Sequence, residues 1–281
     1  MTYRAIYQEG LEMLQQAGIA EAGLDARLLL EYLCGTDRNT LLLHGEREVT
    51  DREIQEYRTL IKRRAEHYPL QYLTGEQDFM GLTLHVDENV LIPRQDTELL
   101  VEEIMKDGHD GKRILEIGTG SGCIILSLLK YSNSCQGTAT DLSAGALSVA
   151  KKNAERLGLT VRLVHTDLAE GLDGPFDIIV SNPPYIARDV IPTLMPEVKD
   201  HEPVSALDGG EDGLDFYRRI LQETAPLLAK EGRYYFEIGY DQGAAVKGLL
   251  EQYGYQQVKV IQDYAGLDRV VCGCRPACYI T

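Results

Sequence analysis

The chain is predicted to be an α/β protein, with an open, mostly parallel sheet flanked by helices on both faces and a small helical bundle ahead of it. Three observations carry this. From Lys112 onward, short apolar runs alternate with segments of helical period. The first of these runs enters its helix through a glycine turn, Gly118-Thr119-Gly120-Ser121-Gly122. A later run, Asp177-Ile178-Ile179-Val180-Ser181, has the continuous apolar character of a buried parallel strand and stops at Asn182-Pro183-Pro184-Tyr185.

Residues 1–73 are expected to be helical and to form one domain. Leu11, Leu14, Gln15 and Gly18 mark one short amphipathic segment, and Ala26, Leu28, Leu29, Leu30, Tyr32 and Leu33 mark another. Thr50-Asp51-Arg52-Glu53 has the spacing of a capping box, with Thr50 as N-cap and Glu53 reaching back. The helix behind it shows Ile54, Tyr57, Leu60 and Ile61 on one face and ends before Pro69. His44 and His67 stand alone, as structural or solvated histidines do. Nothing in this bundle has catalytic spacing, which leaves recognition as its expected role.

Residues 74–93 change character. Phe79, Leu82, Leu84, Val86, Val90 and Leu91, interrupted by Gly81 and by Asp87-Glu88-Asn89, predict a β-hairpin linker to a second domain, residues 94–281. Leu91-Ile92-Pro93-Arg94-Gln95-Asp96-Thr97-Glu98 then leads into a helix through Val101, Ile104 and Met105. Arg94 fits either a surface position or a group holding a carboxylate in a cleft. Strands are expected over 113–117, 137–140, 161–165, 177–181, 233–238, 257–261 and 269–274. Helices are expected over 123–129, 144–157 with Gly158 just past its end, 214–228 with Pro226 near its end, and 244–252.

Composition narrows the function. At 44% hydrophobic and 26% charged, the 281 residues suit a globular protein with a substantial core. The formal charge of −16 opposes broad capture of phosphate backbones, so no direct nucleic-acid binding is expected. No apolar run reaches membrane-spanning length, and Met1 to Gly10 lacks the order of a signal peptide, so a cytoplasmic protein is the expectation, and separately a monomer. The six cysteines form neither a disulfide nor a zinc pattern: Cys34, Cys123 and Cys135 sit singly, while Cys272, Cys274 and Cys278 crowd the C-terminus without a histidine. No metal site is expected.

Open α/β sheets bind ligands beyond the carboxyl ends of their strands. The turn from Gly118 through Thr119, Gly120 and Ser121 to Gly122 is G-x-G-x-G, which differs from the dinucleotide and P-loop patterns, and no lysine follows it to hold phosphates. Such a turn alone can be a tight connection. Asp141, at the end of the second strand, is placed to accept from both hydroxyls of a ribose; its competing role is N-cap of the next helix, for which Ser143 is also available. Asp167 ends the third strand, where it can accept from an adenine amino group, with Leu168 beside it to cover the ring. Glu116 precedes the glycines, near where a ligand ammonium can lie. Three carboxylates around a nucleoside with a cationic tail, and no group for a phosphate, favour S-adenosylmethionine over NAD or ATP, with S-adenosylhomocysteine as product.

Two consecutive prolines fix φ and supply no N–H, and Pro183 disfavours the α region for Asn182. The segment is therefore a rigid, extended end to its strand. One reading is a proline turn with Tyr185 packing locally. The other is an acceptor clamp: Asn182 Oδ1 and the Pro183 carbonyl accept the two N–H bonds of a planar NH₂ group, and Tyr185 packs on the substrate near the sulfonium. This clamp does not separate adenine, cytosine and glutamine.

Further stretches point to a family. Pro69-Leu70-Gln71-Tyr72-Leu73-Thr74-Gly75, Leu91-Ile92-Pro93-Arg94 with Asp96-Thr97-Glu98, Gly118 to Gly122, Ser181 to Ile186, Glu202 to Leu207 with Gly209-Gly210 and Asp212-Gly213-Leu214, Tyr217-Arg218 with Ile220, and Glu237-Ile238-Gly239 together resemble the HemK/PrmC peptide chain release factor N5-glutamine methyltransferases. The resemblance covers nearly the whole chain. It implies a seven-stranded Rossmann-like S-adenosylmethionine-dependent methyltransferase domain with a reversed last strand, and methylation of the glutamine in the Gly-Gly-Gln loop of class I release factors. It maps Gly118 to Gly122, Asp141, Leu168 and Asn182 to the cofactor site, and Asn182, Pro183, Pro184 and Tyr185 to the substrate glutamine; Arg94 is a further substrate-site candidate. Gln95 stands where the family usually has proline, and Arg275 to Thr281 extend past its usual end. The rivals are a sister enzyme acting on a glutamine of a large-subunit ribosomal protein, a DNA adenine methylase, which the acidic charge disfavours, and a non-catalytic binding protein, which would not need the clamp.

Overall fold

A computed structural model describes residues 1–277. The chain divides into two compact units, Met1–Glu76 with Met195–His201, and Gln77–Leu194 with Glu202 onward. The first is helical: α1 (Tyr3–Gln16), α2 (Ala22–Cys34), α3 (Arg38–Leu43), α4 (Asp51–Ala65) and α5 (Leu70–Thr74). α1, α3 and α4 start where the sequence supplies side-chain caps. Thr2 Oγ1 accepts from the Ala5 amide at 3.3 Å, and the Thr50–Glu53 box closes both ways, the Thr50 amide donating to Glu53 Oε2 at 2.8 Å. Ile6, Leu14, Leu29, Leu30, Tyr57 and Ile61 form its core. Arg64 is buried and donates to Asp25 at 2.7 Å and to Glu197 at 3.0 Å, which fastens the 195–201 segment to this unit. His67 Nδ1 meets the same Glu197 oxygen at 3.0 Å, a structural place for a histidine.

The second unit holds a hairpin, β1 (Glu76–Phe79) and β2 (Leu82–His85), then α6 (Gln95–Asp107), β3 (Arg113–Ile117), α7 (Cys123–Lys130), β4 (Gln136–Asp141), α8 (Ala144–Leu157), β5 (Arg162–His165), β6 (Phe176–Ser181), α9 (Asp215–Thr224), β7 (Leu228–Glu237), α10 (Gly243–Gln252), β8 (Gln256–Gln262) and β9 (Asp268–Cys274). The sheet has seven strands in the order β5-β4-β3-β6-β7-β9-β8. β3 to β7 pair in parallel, and β9 alone runs against both its neighbours. Alternation along the strands builds two apolar layers. Ile114, Ile178 and Val180 face the layer with Leu100, Ile104, Ile125 and Leu128, while Leu115, Ile179, Tyr217, Ile220 and Leu250 fill the other. Among the described residues no helix is long and apolar enough to cross a membrane.

Three expectations change. Phe79, Leu82 and Leu84 of the hairpin belong to the core of the second unit, and residues 86–93, expected to be part of the hairpin, form no strand. The helix expected to reach Leu228 ends at Thr224, because Pro226 cannot donate to a helical carbonyl; a 3₁₀ turn follows, and β7 starts at Leu228 rather than near Arg233. The C-terminal tail has a structural role in its first residue. Arg275 donates through its amide to Gly232 O at 2.8 Å and through Nη1 to the carbonyls of Ala225, at 3.1 Å, and Leu228. Gln95 opens α6 at the first helical position, where proline and glutamine are both tolerated. Cys272 is buried, Cys274 is half-buried and both thiols are free, whereas Cys278 lies outside the described residues.

One buried side chain joins three of these elements. Asn153 of α8 donates to the carbonyls of His85 and Ser121, both at 2.9 Å, and accepts from the His85 amide at 2.7 Å. It pins the hairpin and the glycine turn to one helix. Asn153→Ala leaves these groups without partners in an apolar setting, so a stability loss of about 2–4 kcal/mol is expected. A urea midpoint within error of the parent protein would show that the bonds carry no net weight.

Candidate functional site

Register fixes which residues meet at the carboxyl edge. Ile117 pairs with Thr140 on one side and Ser181 on the other, Asp141 pairs with His165, and Ser181 pairs with Phe236. The residues just beyond, from Gly118, Asp167, Asn182 and Glu237, therefore stand along one edge with Asp141. Strand order reverses between β3 and β6, where an open sheet forms a crevice. A cavity of about 520 Å³ lies there, walled by the glycine turn, by Asn89 to Leu91 and Pro93-Arg94 ahead of α6, and by Asn182 to Pro184.

The glycine turn is held against β4, the Gly118 and Thr119 amides both donating to Thr140 O at 3.0 and 2.9 Å. Gly118 and Gly120 have φ of +71° and +54°, the region that favours glycine, and a Cβ on either would point into open space. Asp141 is clamped by backbone, accepting from the Gly120 amide at 2.9 Å and the Ser143 amide at 2.8 Å. Ser143 Oγ, not Asp141, caps α8 by accepting from Ala146 at 3.1 Å. The competing role is thus filled, and Asp141 keeps lone pairs toward the cavity it lines.

Glu116 is 1% exposed. Its Oε2 accepts from Thr119 Oγ1 at 2.5 Å, while Oε1, equally buried, has no partner among the described residues. Burial pushes its pKa up to about 8, against the opposing hydrogen bonds from Thr119 and the Ile125 amide. An orphaned carboxylate oxygen in a cavity wall suits a cationic ligand group. The only lysine or arginine among the described wall residues is Arg94, and it is occupied: Nη2 donates to both oxygens of buried Glu202, at 2.6 and 2.7 Å. Arg94 thus holds a carboxylate in a cleft, that of the chain's own Glu202, while lining the cavity. Among the described wall residues no lysine or arginine is left free to bind phosphate. Among the described residues no group of histidine, cysteine, aspartate or glutamate is arranged to hold a metal ion.

Asp167 and Leu168 also line the cavity. Leu168 is buried at φ +47°. Asp167 is more constrained than its strand-end position suggests, because Arg219 of α9 donates to its Oδ2 at 3.0 Å.

Asn182, Pro183 and Pro184 are in the wall. The Asn182 amide is tied at one end, Nδ2 donating to Thr97 Oγ1 at 3.3 Å, so that Oδ1 is the end left for a ligand. The segment is gripped from two directions. Gln242 donates to Tyr185 O at 2.9 Å, and Gly209 lies so close that a Cβ there would be 2.8 Å from Tyr185 Cα. The Tyr185 ring packs on the apolar layer that holds Tyr217 and Ile220, and its hydroxyl donates to Glu237 Oε1 at 3.4 Å, the local packing that is one of the two readings of this segment. Thr97 and Glu237 were not given roles by sequence reasoning. For Glu237 a signal existed, since it ends a strand just as Asp141 does.

The sheet, its single reversed strand and a strand-end cavity lined with carboxylates define a methyltransferase of the Rossmann-like class. Two families match in sequence: one described as the PrmC N-terminal domain over residues 5–75, and one as the methyltransferase small domain over residues 94–195. A release factor glutamine methyltransferase of Moorella thermoacetica is 44% identical, with 96% of this chain and 97% of that protein covered. One of Agrobacterium fabrum is 41% identical, with 92% of each covered. A methyltransferase structure from Pyrococcus furiosus shares the fold at TM-score 0.54 and 22% identity, over 70% of this chain and 90% of that one. The chain belongs to the release factor glutamine methyltransferase family.

Proposed function

We propose that this protein transfers the methyl group of S-adenosylmethionine to the side-chain amide nitrogen, N5, of the glutamine in the Gly-Gly-Gln motif of class I peptide chain release factors. The observation that carries the reading is the Asn182 amide, tied through Nδ2 to Thr97 so that Oδ1 is left for a ligand, next to Pro183 in a cavity whose described wall has no free lysine or arginine. Family membership supplies the substrate class.

S-adenosylmethionine, when bound, supplies an electrophilic methyl group on a cationic sulfur. Asp141 accepts from the ribose hydroxyls, Leu168 covers the adenine, the turn from Gly118 to Gly122 lets the backbone approach the ligand, and Glu116 Oε1 takes the ammonium. Asn182 Oδ1 and the Pro183 carbonyl receive the two N–H bonds of the substrate amide. That pair of bonds orients the nitrogen and favours positive charge on it as the new bond forms. No base is required before attack, because the nitrogen becomes strongly acidic once alkylated. The helical unit, without a catalytic group of its own, recognises the release factor. The enzyme works as a cytoplasmic monomer, and its charge of −16 supports action without direct nucleic-acid binding.

Labelled S-adenosylmethionine offered with release factor, large-subunit ribosomal proteins and DNA in parallel tests the reading. A single methyl on the Gly-Gly-Gln glutamine, absent when that glutamine is alanine, is expected; a methyl on a ribosomal protein or on adenine would replace the substrate assignment. Removing residues 1–73 is expected to spare cofactor binding and abolish protein methylation, and full activity of the shortened enzyme would refute the recognition role. Glu116 adds a pH dependence. Its raised pKa, about 8, means that a cationic ligand must displace a proton at lower pH. Affinity for S-adenosylmethionine should rise with pH below about 8, by at most about tenfold per unit, and stop rising where the ligand's α-amino group begins to lose its proton. Glu116→Gln should flatten the profile; an unchanged slope would remove Glu116 from the ammonium site.

A further inference from the structure

We propose that Arg94 and Glu202 are positioning residues for methyl transfer, an ion pair that braces both flanks of the acceptor segment Asn182-Pro183-Pro184. The inference rests on the methyl-transfer reading of the same site and names what holds its acceptor side still. Two prolines fix the shape of that segment but not its place in the cavity. Its place is set by the groups packed around it.

Those groups form a closed chain of contacts that returns to Arg94. On one flank, the Arg94 carbonyl accepts from the Thr97 amide at 3.1 Å at the start of α6, and Thr97 Oγ1 accepts from Asn182 Nδ2 at 3.3 Å. On the other flank, the chain beyond the prolines is paired with residues 207–210. The Ile186 amide donates to Leu207 O at 3.0 Å, the Gly209 amide to Ile186 O at 2.9 Å, and the Arg188 amide to Gly210 O at 2.9 Å. A Cβ on Gly209 would lie 2.9 Å from Pro184 O, so this loop presses directly on the acceptor segment. The loop begins at Glu202, and Pro203, Ser205 and Ala206 carry it along the cavity wall. Arg94 Nη2 ties that beginning down through both Glu202 oxygens, at 2.6 and 2.7 Å. Arg94 thus secures Asn182 through its backbone and the Ile186 side through its guanidinium.

The tie is one the loop cannot replace with water. The Glu202 side chain is 1% exposed. Burial raises its pKa, and the Arg94 charge opposes the rise. Without Arg94 the carboxyl takes up a proton or draws the loop toward solvent, and both outcomes release the brace. Asp141 stands outside this chain of contacts, held by the Gly120 and Ser143 amides, so the brace acts on the acceptor and not on the cofactor.

Full-length Arg94→Met, Glu202→Met and the double variant test this with two readouts. The first is single-turnover methylation of release factor at saturating cofactor. Each single variant is expected to lose about 10–100-fold in rate, the cost of a small misplacement of the acceptor, with cofactor affinity unchanged by calorimetry. The double variant should lose no more than the worse single one, because the pair acts as a unit. It also guards against misfolding, since apolar residues of similar volume replace buried ion pairs at little cost. If Arg94 instead contacts the substrate, Glu202→Met frees the guanidinium and leaves the rate intact, which overturns the proposal. The second readout is amide hydrogen exchange of the unliganded enzyme. Ile186 and Gly209 should exchange about tenfold faster or more in both single variants, while Leu115 of β3 and Ile179 of β6 keep the parent rate. Unchanged exchange at Ile186 and Gly209 overturns the proposal, as does equal acceleration in the strands, which would mark a general loss of stability. Exchange does not depend on the substrate. If it behaves as expected while the release factor is not methylated, the substrate assignment fails and the brace stands.

Discussion

Asn182→Ala is expected to fold, to keep its affinity for S-adenosylmethionine, and to lose roughly 10²–10³ in single-turnover rate, the loss typical of one hydrogen-bonding group matched to a transition state. The side chain is one of two acceptors proposed for the substrate N–H bonds, and the Pro183 carbonyl remains after truncation. If the helical unit recognises the release factor, as proposed, KM should move little while kcat falls. The change removes only the tie to Thr97, at 3.3 Å, so the fold loses little. Near-normal single-turnover rates would end the acceptor role for Asn182. A fall shared equally by cofactor affinity and rate would move Asn182 to the cofactor side of the cavity.

Asp141→Ala is the next largest. We expect cofactor affinity to fall by about 1.5–3 kcal/mol, or about 10–150-fold, the range for hydrogen bonds to a charged group. Asp141 is oriented before any ligand arrives, because the Gly120 and Ser143 amides hold one oxygen each. Its loss therefore removes the ribose acceptor and also frees the middle of the glycine turn. Asp141→Asn is the intermediate case. The amide retains an oxygen for one of the backbone donors but places an NH₂ where the other oxygen accepted, so turn and ligand binding should both weaken, by less than in the alanine variant. Calorimetry that finds unchanged affinity in Asp141→Ala rejects the ribose assignment.

The parts of this site that were legible in the sequence are those set by local rules. Apolar runs and glycine punctuation mark strand ends, and ligands gather at strand ends in open sheets, which brought Gly118 to Gly122, Asp141, Asp167 and Asn182 into view. The same logic applied to Glu237, but its partners, the hydroxyls of Tyr185 and Tyr217, depend on how the sheet and helices pack. The hairpin was legible as a hairpin, yet its apolar face gave no sign of which unit it would complete. Tyr185 could have stacked on a ligand or packed beneath the site, and nothing in Asn-Pro-Pro-Tyr distinguishes the two, because both need an aromatic ring next to a rigid turn.

The amino-acid order alone settled the alternation of strands and helices, the boundary of the parallel sheet and the acidic, phosphate-averse character of its carboxyl edge, all of which follow from periodicity and turn chemistry over a few residues. The pairings that finish the site belong to the tertiary fold. Arg94 meets Glu202 across 108 residues of chain, Asp167 meets Arg219 across 52, and Asn182 meets Thr97 across 85. A buried polar group must find a partner wherever the packed layers place one, and that place is fixed by strand order and helix docking rather than by spacing along the chain.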